Sequence, residues 1–146
     1  MTHDATRLLE ALHGREAPGF TELRMIDRTG GPSRQEWFPV QELEIAVRRA
    51  IELRDRYDVY FGVLPRTRRE GTKDAIESGA VVWADVDSAR ALVELLSFEV
   101  PPSAAVRSGS PGCHHAYWLL DEAITREARW RTSTAAWLHA WAPTNA

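Results

Sequence analysis

The stretch VVWADVD, residues 81–87, sets two carboxylates into a run that otherwise has the β-branched and aromatic composition of a buried strand. In an extended chain alternate side chains share a face, so Val82, Ala84 and Val86 point one way and Trp83, Asp85 and Asp87 the other. The first face is apolar and belongs against helices. The second brings two carboxylates within about two residue rises of each other, roughly 7 Å at Cα. Unneutralised, such a pair repels and raises one pKa; a divalent cation held between them removes the conflict. A bare D-x-D is also what two solvated aspartates at a strand end look like, and Ser88 is placed to cap a following helix to about Ser97.

Outward from this strand, 146 residues correspond to one globular domain. A hydrophobic share of 44% and a charged share of 27% are ordinary for a water-soluble chain, and no run approaches the ~18 apolar residues of a membrane span. The N-terminal MTHDATRLLEALHG has no apolar segment of the kind that directs export, so a cytoplasmic location is expected. Cys113 is the single cysteine, which excludes an internal disulfide and a zinc site built on paired cysteines. A formal charge of -3 argues against wholesale wrapping of nucleic acid and leaves room for a local basic site.

Upstream, Asp4 to Leu12 reads as a short helix stopped by Gly14, and Phe20–Ile26 and Gln35–Val40 as strands around a Gly30-Gly31 turn. Leu43, Ala46, Val47, Ala50 and Ile51 fall at helical spacing, predicting a helix from Gln41 to about Tyr57. VYFGVLP, residues 59–65, reads as a strand ended by Pro65. The polar loop after it carries Arg66, Arg68, Arg69 and Lys73, which suit phosphates, with Arg66 the best placed; a solvated charge run partnered by Glu70 and Asp74 is the plainer alternative. AAVRS and HHAYWLL read as two strands joined by SGSPGC, and Thr125 as the cap of a last helix through Trp141, with Trp130, Thr134, Trp137 and Trp141 as a core-facing stripe. Short connections favour antiparallel hairpins, hence an α+β arrangement of sheet and helices over a doubly wound sheet.

Residues 107–120, RSGSPGCHHAYWLL, sharpen the aspartate strand. His115 and Tyr117 share one face and Ala116, Trp118 and Leu120 the other. The loop before them, Ser108 to Gly112, is rich in residues that let backbone N–H groups converge on an anion, with Arg107 beside it; a plain hairpin turn fits the same letters. His114 and His115 point to opposite faces, which disfavours one metal held by both.

Taken together, VYFGVLPR, WADVD and SGSPGCHHAYWLL resemble the catalytic domain of archaeo-eukaryotic-type primases and primase-polymerases, in the RepB-like branch of phages and plasmids. The match runs from about Asp58 to Asp121: Asp85, Val86 and Asp87 stand where the family has two acidic residues around a hydrophobic one. Ser110, Pro111, Gly112, His115, Tyr117 and Trp118 stand where it has S-P-G and H-x-Y-W. The resemblance implies an RRM-like sheet with helices packed on one face and the active site on the open face. A small αβ unit (1–57) would precede the catalytic part (58–146). It further implies template-dependent nucleotidyl transfer on single-stranded DNA with two divalent ions, Mg²⁺ or Mn²⁺. Asp85 and Asp87 would be the metal ligands; His115, with Arg107, Ser108, Ser110, Gly112 and Tyr117, would meet the NTP or dNTP. A replicative helicase is the family's usual partner. The family's third carboxylate and its R-x-P-G-T-x-N segment have no counterpart, since no aspartate follows Asp121. The chain therefore reads as ending before that motif or as a variant lacking it, and the alternative is a catalytically incomplete module that binds nucleotide or single-stranded DNA. A metal-dependent nuclease is a more distant reading.

Overall fold

Thr21, Leu23 and Met25 alternate with Glu22, Arg24 and Ile26, a pattern that suits a strand packed on one side by a helix. The computed structural model, which describes residues 2–14, 18–108 and 111–125, sets this strand (β1, Phe20–Asp27) between β2 (Arg34–Pro39) and β3 (Tyr57–Phe61) in an antiparallel three-stranded sheet. Asp27 shapes the β1–β2 turn by accepting hydrogen bonds from Thr29 N at 2.9 Å and Thr29 Oγ1 at 2.6 Å. Helix α2 (Leu43–Leu53) covers the inner face with Leu43, Ala46 and Val47, the residues its helical spacing singled out. It stops at Leu53 rather than near Tyr57, because Tyr57 is buried opposite Asp27 as the first residue of β3. Pairing with β1 makes β3 the edge of the first sheet, so the strand expected to open the catalytic part completes the N-terminal unit instead.

A second antiparallel sheet follows, with strand order β4 (Ser78–Val86), β6 (His114–Thr125), β5 (Ala104–Arg107). Helix α3 (Ala89–Leu96) leaves β4 at Ser88, whose hydroxyl accepts from Ala91 N at 3.1 Å, the expected cap. The class is α+β. The described residues form two three-stranded sheets. The second sheet's two faces are both partly covered. On the Val82 and Trp118 face, Phe98 meets Trp118 edge to face, and Trp118 Nε1 donates to Val100 O at 2.8 Å. On the other face, Val81 and Tyr117 are buried under helix α1 (Thr2–His13) and Leu64. Leu64 reaches this site because Gly79 has no side chain: a Cβ there would lie 2.3 Å from Leu64 Cδ2.

Helix α1 joins the sheets. Leu9 packs with Val40, Leu43 and Val47 over the first, and Leu12, one turn on, with Leu64, Val81 and Tyr117 over the second. Phe61 touches both clusters and the β1–α2 core as well. At the end of the helix His13 is buried, donates from Nε2 to Gly62 O at 2.8 Å, and leaves Nδ1 without a partner. Among the described residues no helix is long and apolar enough to cross a membrane. The final helix expected after Thr125, with its tryptophan stripe, lies outside the described residues; Thr125 itself is the last residue of β6.

Two outcomes follow from the joint. Leu12→Ala empties a fully enclosed site and is expected to cost about 2–5 kcal/mol, read as a lowered urea midpoint at unchanged slope. Burial holds His13 below its ordinary pKa of 6.5. The unfolded chain then binds the proton more readily, so this contribution is complete above 6.5 and is lost as pH falls below it towards the folded-state value. His13→Gln keeps an amide donor and removes the titration; denaturation at a series of pH values between about 7 and 5 should show a flatter stability profile than wild type.

Candidate functional site

The β4–β6 register pairs Asp85 directly with His115, so the two side chains stand on one face of adjacent strands. His115 Nε2 lies 3.8 Å from Asp85 Oδ1, and the side chains are 37% and 57% exposed. At that separation and exposure the pair adds little to stability, and both groups are open to a ligand. Asp87 is exposed and follows Val86, the last residue of β4, at the same end of the sheet. Two residues along the same face lies Tyr117, opposite Trp83 and 1% exposed. Burial pushes its hydroxyl up to about 12, with the charge of Asp85 adding to the shift. Tyr117 therefore remains a neutral phenol, a buried wall beside the site and not, as expected, a contact for nucleotide. Pleat alternation placed it on the Asp85 face, but only the packing of Leu12 over it shows that this end of the face is closed.

The β5–β6 loop ends where this pair begins. Ser108 N donates to Cys113 O at 2.9 Å, closing a hairpin in which Gly112 takes φ 79, a left-handed conformation that glycine adopts without strain. Space beside Gly112 is open, with nothing within 4 Å of where a Cβ would lie. Ser110 lies outside the described residues. Arg107 is a correction: it pairs with His114, one register step from His115, so its side chain leaves the sheet on the opposite face from Asp85 and His115.

Correction extends to the basic loop. Arg66 is largely enclosed, 13% exposed, with Nη2 3.3 Å from Oε2 of Glu22, itself 4% exposed, and Nη1 donating to Thr72 O at 3.0 Å. Glu22 Oε1 also accepts from Arg24 Nη2 at 2.8 Å and Gln35 Nε2 at 2.6 Å. Arg66 thus compensates a buried carboxylate rather than waiting for a phosphate. Arg68 pairs with Glu70, the plainer alternative, and also donates to Asp74 O. Arg69 lies over the Phe20 ring, 5.0 Å from its centroid. Lys73 is exposed in a short 3-10 turn. Sequence reasoning missed Glu22 because strand parity puts it on the outward face and the arginine that meets it lies 44 positions on, beyond the reach of any local signal.

Among the described residues no three His, Cys, Asp or Glu side chains converge on one point, so Asp85, Asp87 and His115 do not form a closed cage. Two exposed carboxylates suit a hard cation that takes its remaining ligands from water and phosphate. No protein-family model matches the chain, and no curated protein or solved structure shows significant similarity to it.

Removing the Arg66 side chain leaves Glu22 with fewer donors in a dry site. Arg66→Ala is expected to destabilise the fold by about 1–3 kcal/mol in chemical denaturation, whereas Lys73→Ala stays within about 0.5 kcal/mol of wild type.

Proposed function

We propose that the chain is a nucleotidyltransferase domain of the primase-polymerase type, joining nucleotides opposite a single-stranded DNA template. The observation that carries the reading is the cross-strand pairing of Asp85 and His115 on an exposed sheet end, beside the hairpin that supplies Ser108 and Gly112. In this reading Asp85 and Asp87 hold divalent cations, Mg²⁺ or Mn²⁺. When bound, such cations supply charge stabilisation at the transferring phosphoryl group and activate the attacking hydroxyl. His115 meets the phosphates of the NTP or dNTP, and the Gly112 backbone N–H adds a donor; that of Ser108 is already bonded to Cys113 O and Pro111 has none. Tyr117 keeps the strand beside Asp85 rigid and dry. The topology is compatible with the same class: β4-α3-β5-β6, with β6 between β4 and β5, has the strand order of the leading βαββ portion of a βαββαβ sheet. A helicase partner belongs to the proposal through the resemblance alone.

A second reading is favoured by the sparse ligand set. With no third ligand converging among the described residues, the site suits a module that binds nucleotide or single-stranded DNA without joining nucleotides.

Primer synthesis and extension with labelled nucleotides on single-stranded DNA, in Mg²⁺ or Mn²⁺, separates the two. Incorporation is expected, falling at least ~100-fold in Asp85→Asn, since a lost ligand costs more than the 10–100-fold of a supporting contact. Absence of incorporation with cation-dependent nucleotide binding retained would sink the enzyme and leave the binding module.

A further inference from the structure

Helix α2 packs on the inner face of the first sheet; the outer face carries Phe20, Glu22, Arg24 and Ile26 of β1, Gln35 and Trp37 of β2, and Tyr60 and Asp58 of β3, the last neutralised by Arg28 at 2.8 Å. Among the described residues, what lies on this outer face is the connection after β3. Arg66 reaches Glu22, Arg69 covers Phe20, and Gly71 sits so near Gln35 that a Cβ there would lie 2.5 Å from its Nε2. Between this connection and the strands opens a cavity of about 370 Å³, walled by Glu22, Arg24, Ile26, Tyr60 and Arg66.

The wall chemistry selects a ligand class. Tyr60 and Ile26 are large apolar side chains left 50% and 44% exposed, side by side on one sheet face. Glu22 is the one carboxylate of the wall, and its oxygens are taken by Arg24, Gln35 and Arg66. Two guanidinium groups against one spent carboxylate leave the wall positive, and Arg24 keeps nearly half of its side chain, 47%, in solvent. A flat aromatic face beside an exposed guanidinium suits a nucleobase with an adjoining phosphate. Phe20 with Arg69, and Trp37, continue the aromatic and basic character across the same face; Trp37 lies two strand spacings from the strand of Tyr60, about 10 Å, and Phe20 four residue rises along β1 from Arg24, about 13 Å. That continuation fits a strand with successive accessible bases, which a duplex hides in its stack.

We propose that this face is a binding platform for single-stranded DNA, one base stacking on Tyr60 at the cavity and the backbone passing Arg24 and Arg69. Only the choice of DNA over RNA rests on the nucleotidyltransferase reading; the platform itself stands on the first sheet, apart from Asp85 and His115.

The test is fluorescence anisotropy of the full chain with labelled oligothymidylate at low salt. Wild type binds, and affinity falls as salt rises. Tyr60→Ala weakens binding about fivefold or more, the loss expected for one stacked base, while Tyr60→Phe, which keeps the ring, stays within about twofold. Arg69→Ala lowers the slope of log affinity against log salt by about one. Binding is read without nucleotide or divalent cation and incorporation is assayed separately, so failure of nucleotide incorporation and failure of the platform read out separately. Unchanged binding by Tyr60→Ala, or a duplex or free thymidine monophosphate competing as well as the strand, overturns the platform; an oligouridylate that competes better overturns its assignment to DNA.

Discussion

Two small sheets become one structure through the apolar seam under helix α1. Among the described residues α2 covers the first sheet, while α3, which follows β4 of the second, has no buried residue. Leu9 and Leu12, a helical turn apart, enter different clusters, and Phe61 touches each of them. Burying Leu12 and Tyr117 in that seam contributes about 1.5–3 kcal/mol apiece by transfer alone, a large share of the marginal stability of a chain this size. The same seam sets the boundary of the candidate site. It closes the Val81 and Tyr117 end of the β4–β6 face and leaves the Asp85 and His115 end open, so packing decides which polar side chains meet solvent.

Charges in the molecule divide by that criterion. Glu22 lies in a dry pocket where an uncompensated carboxylate would be costly, and three donor side chains converge on it. Asp85 and His115 lie 3.8 Å apart, too long for a hydrogen bond, and both remain exposed. A carboxylate already holding several donors has nothing left for a ligand; one held loosely beside an imidazole has most of its coordination capacity free. Geometry therefore separates the structural carboxylate from the available one, although both occupy strands with the same alternating pattern.

Local pattern made much of this legible. Alternation around Leu23, the helical spacing of Leu43, Ala46 and Val47, the Ser88 cap and the pairing face of Asp85 and His115 are each set by neighbours within a few residues, and each appears in the structure. What the sequence left hidden depends on contacts between distant segments. Arg66 meets Glu22 across 44 positions, and Tyr117 is covered by Leu12 from the other end of the chain. Arg107 was misplaced for a different reason: adjacency to the loop suggested proximity to His115, whereas register puts it opposite His114 and so on the other face. The strand Tyr57–Phe61 was recognised by its composition, but composition carries no information about which sheet a strand joins.

The connection between the sheets is the remaining structural question, and its hydrogen bonds answer it. Gly62 accepts from His13 and donates to Glu22 O; Arg66 exchanges backbone hydrogen bonds with Phe20; Thr67 N donates to Ala75 O. A segment tied to α1, to β1 and to itself within 14 positions is no free linker, since a hinge would have to break several of these bonds together. Gly62 and Arg66 line the cavity on the first sheet, and the same segment runs on into Ser78, the start of the strand that carries Asp85. The path from there to the Asp85 strand is one of hydrogen-bonded backbone, running from Gly62 through Arg66 and Thr67 to Ile76, whose N–H donates to Lys73 O.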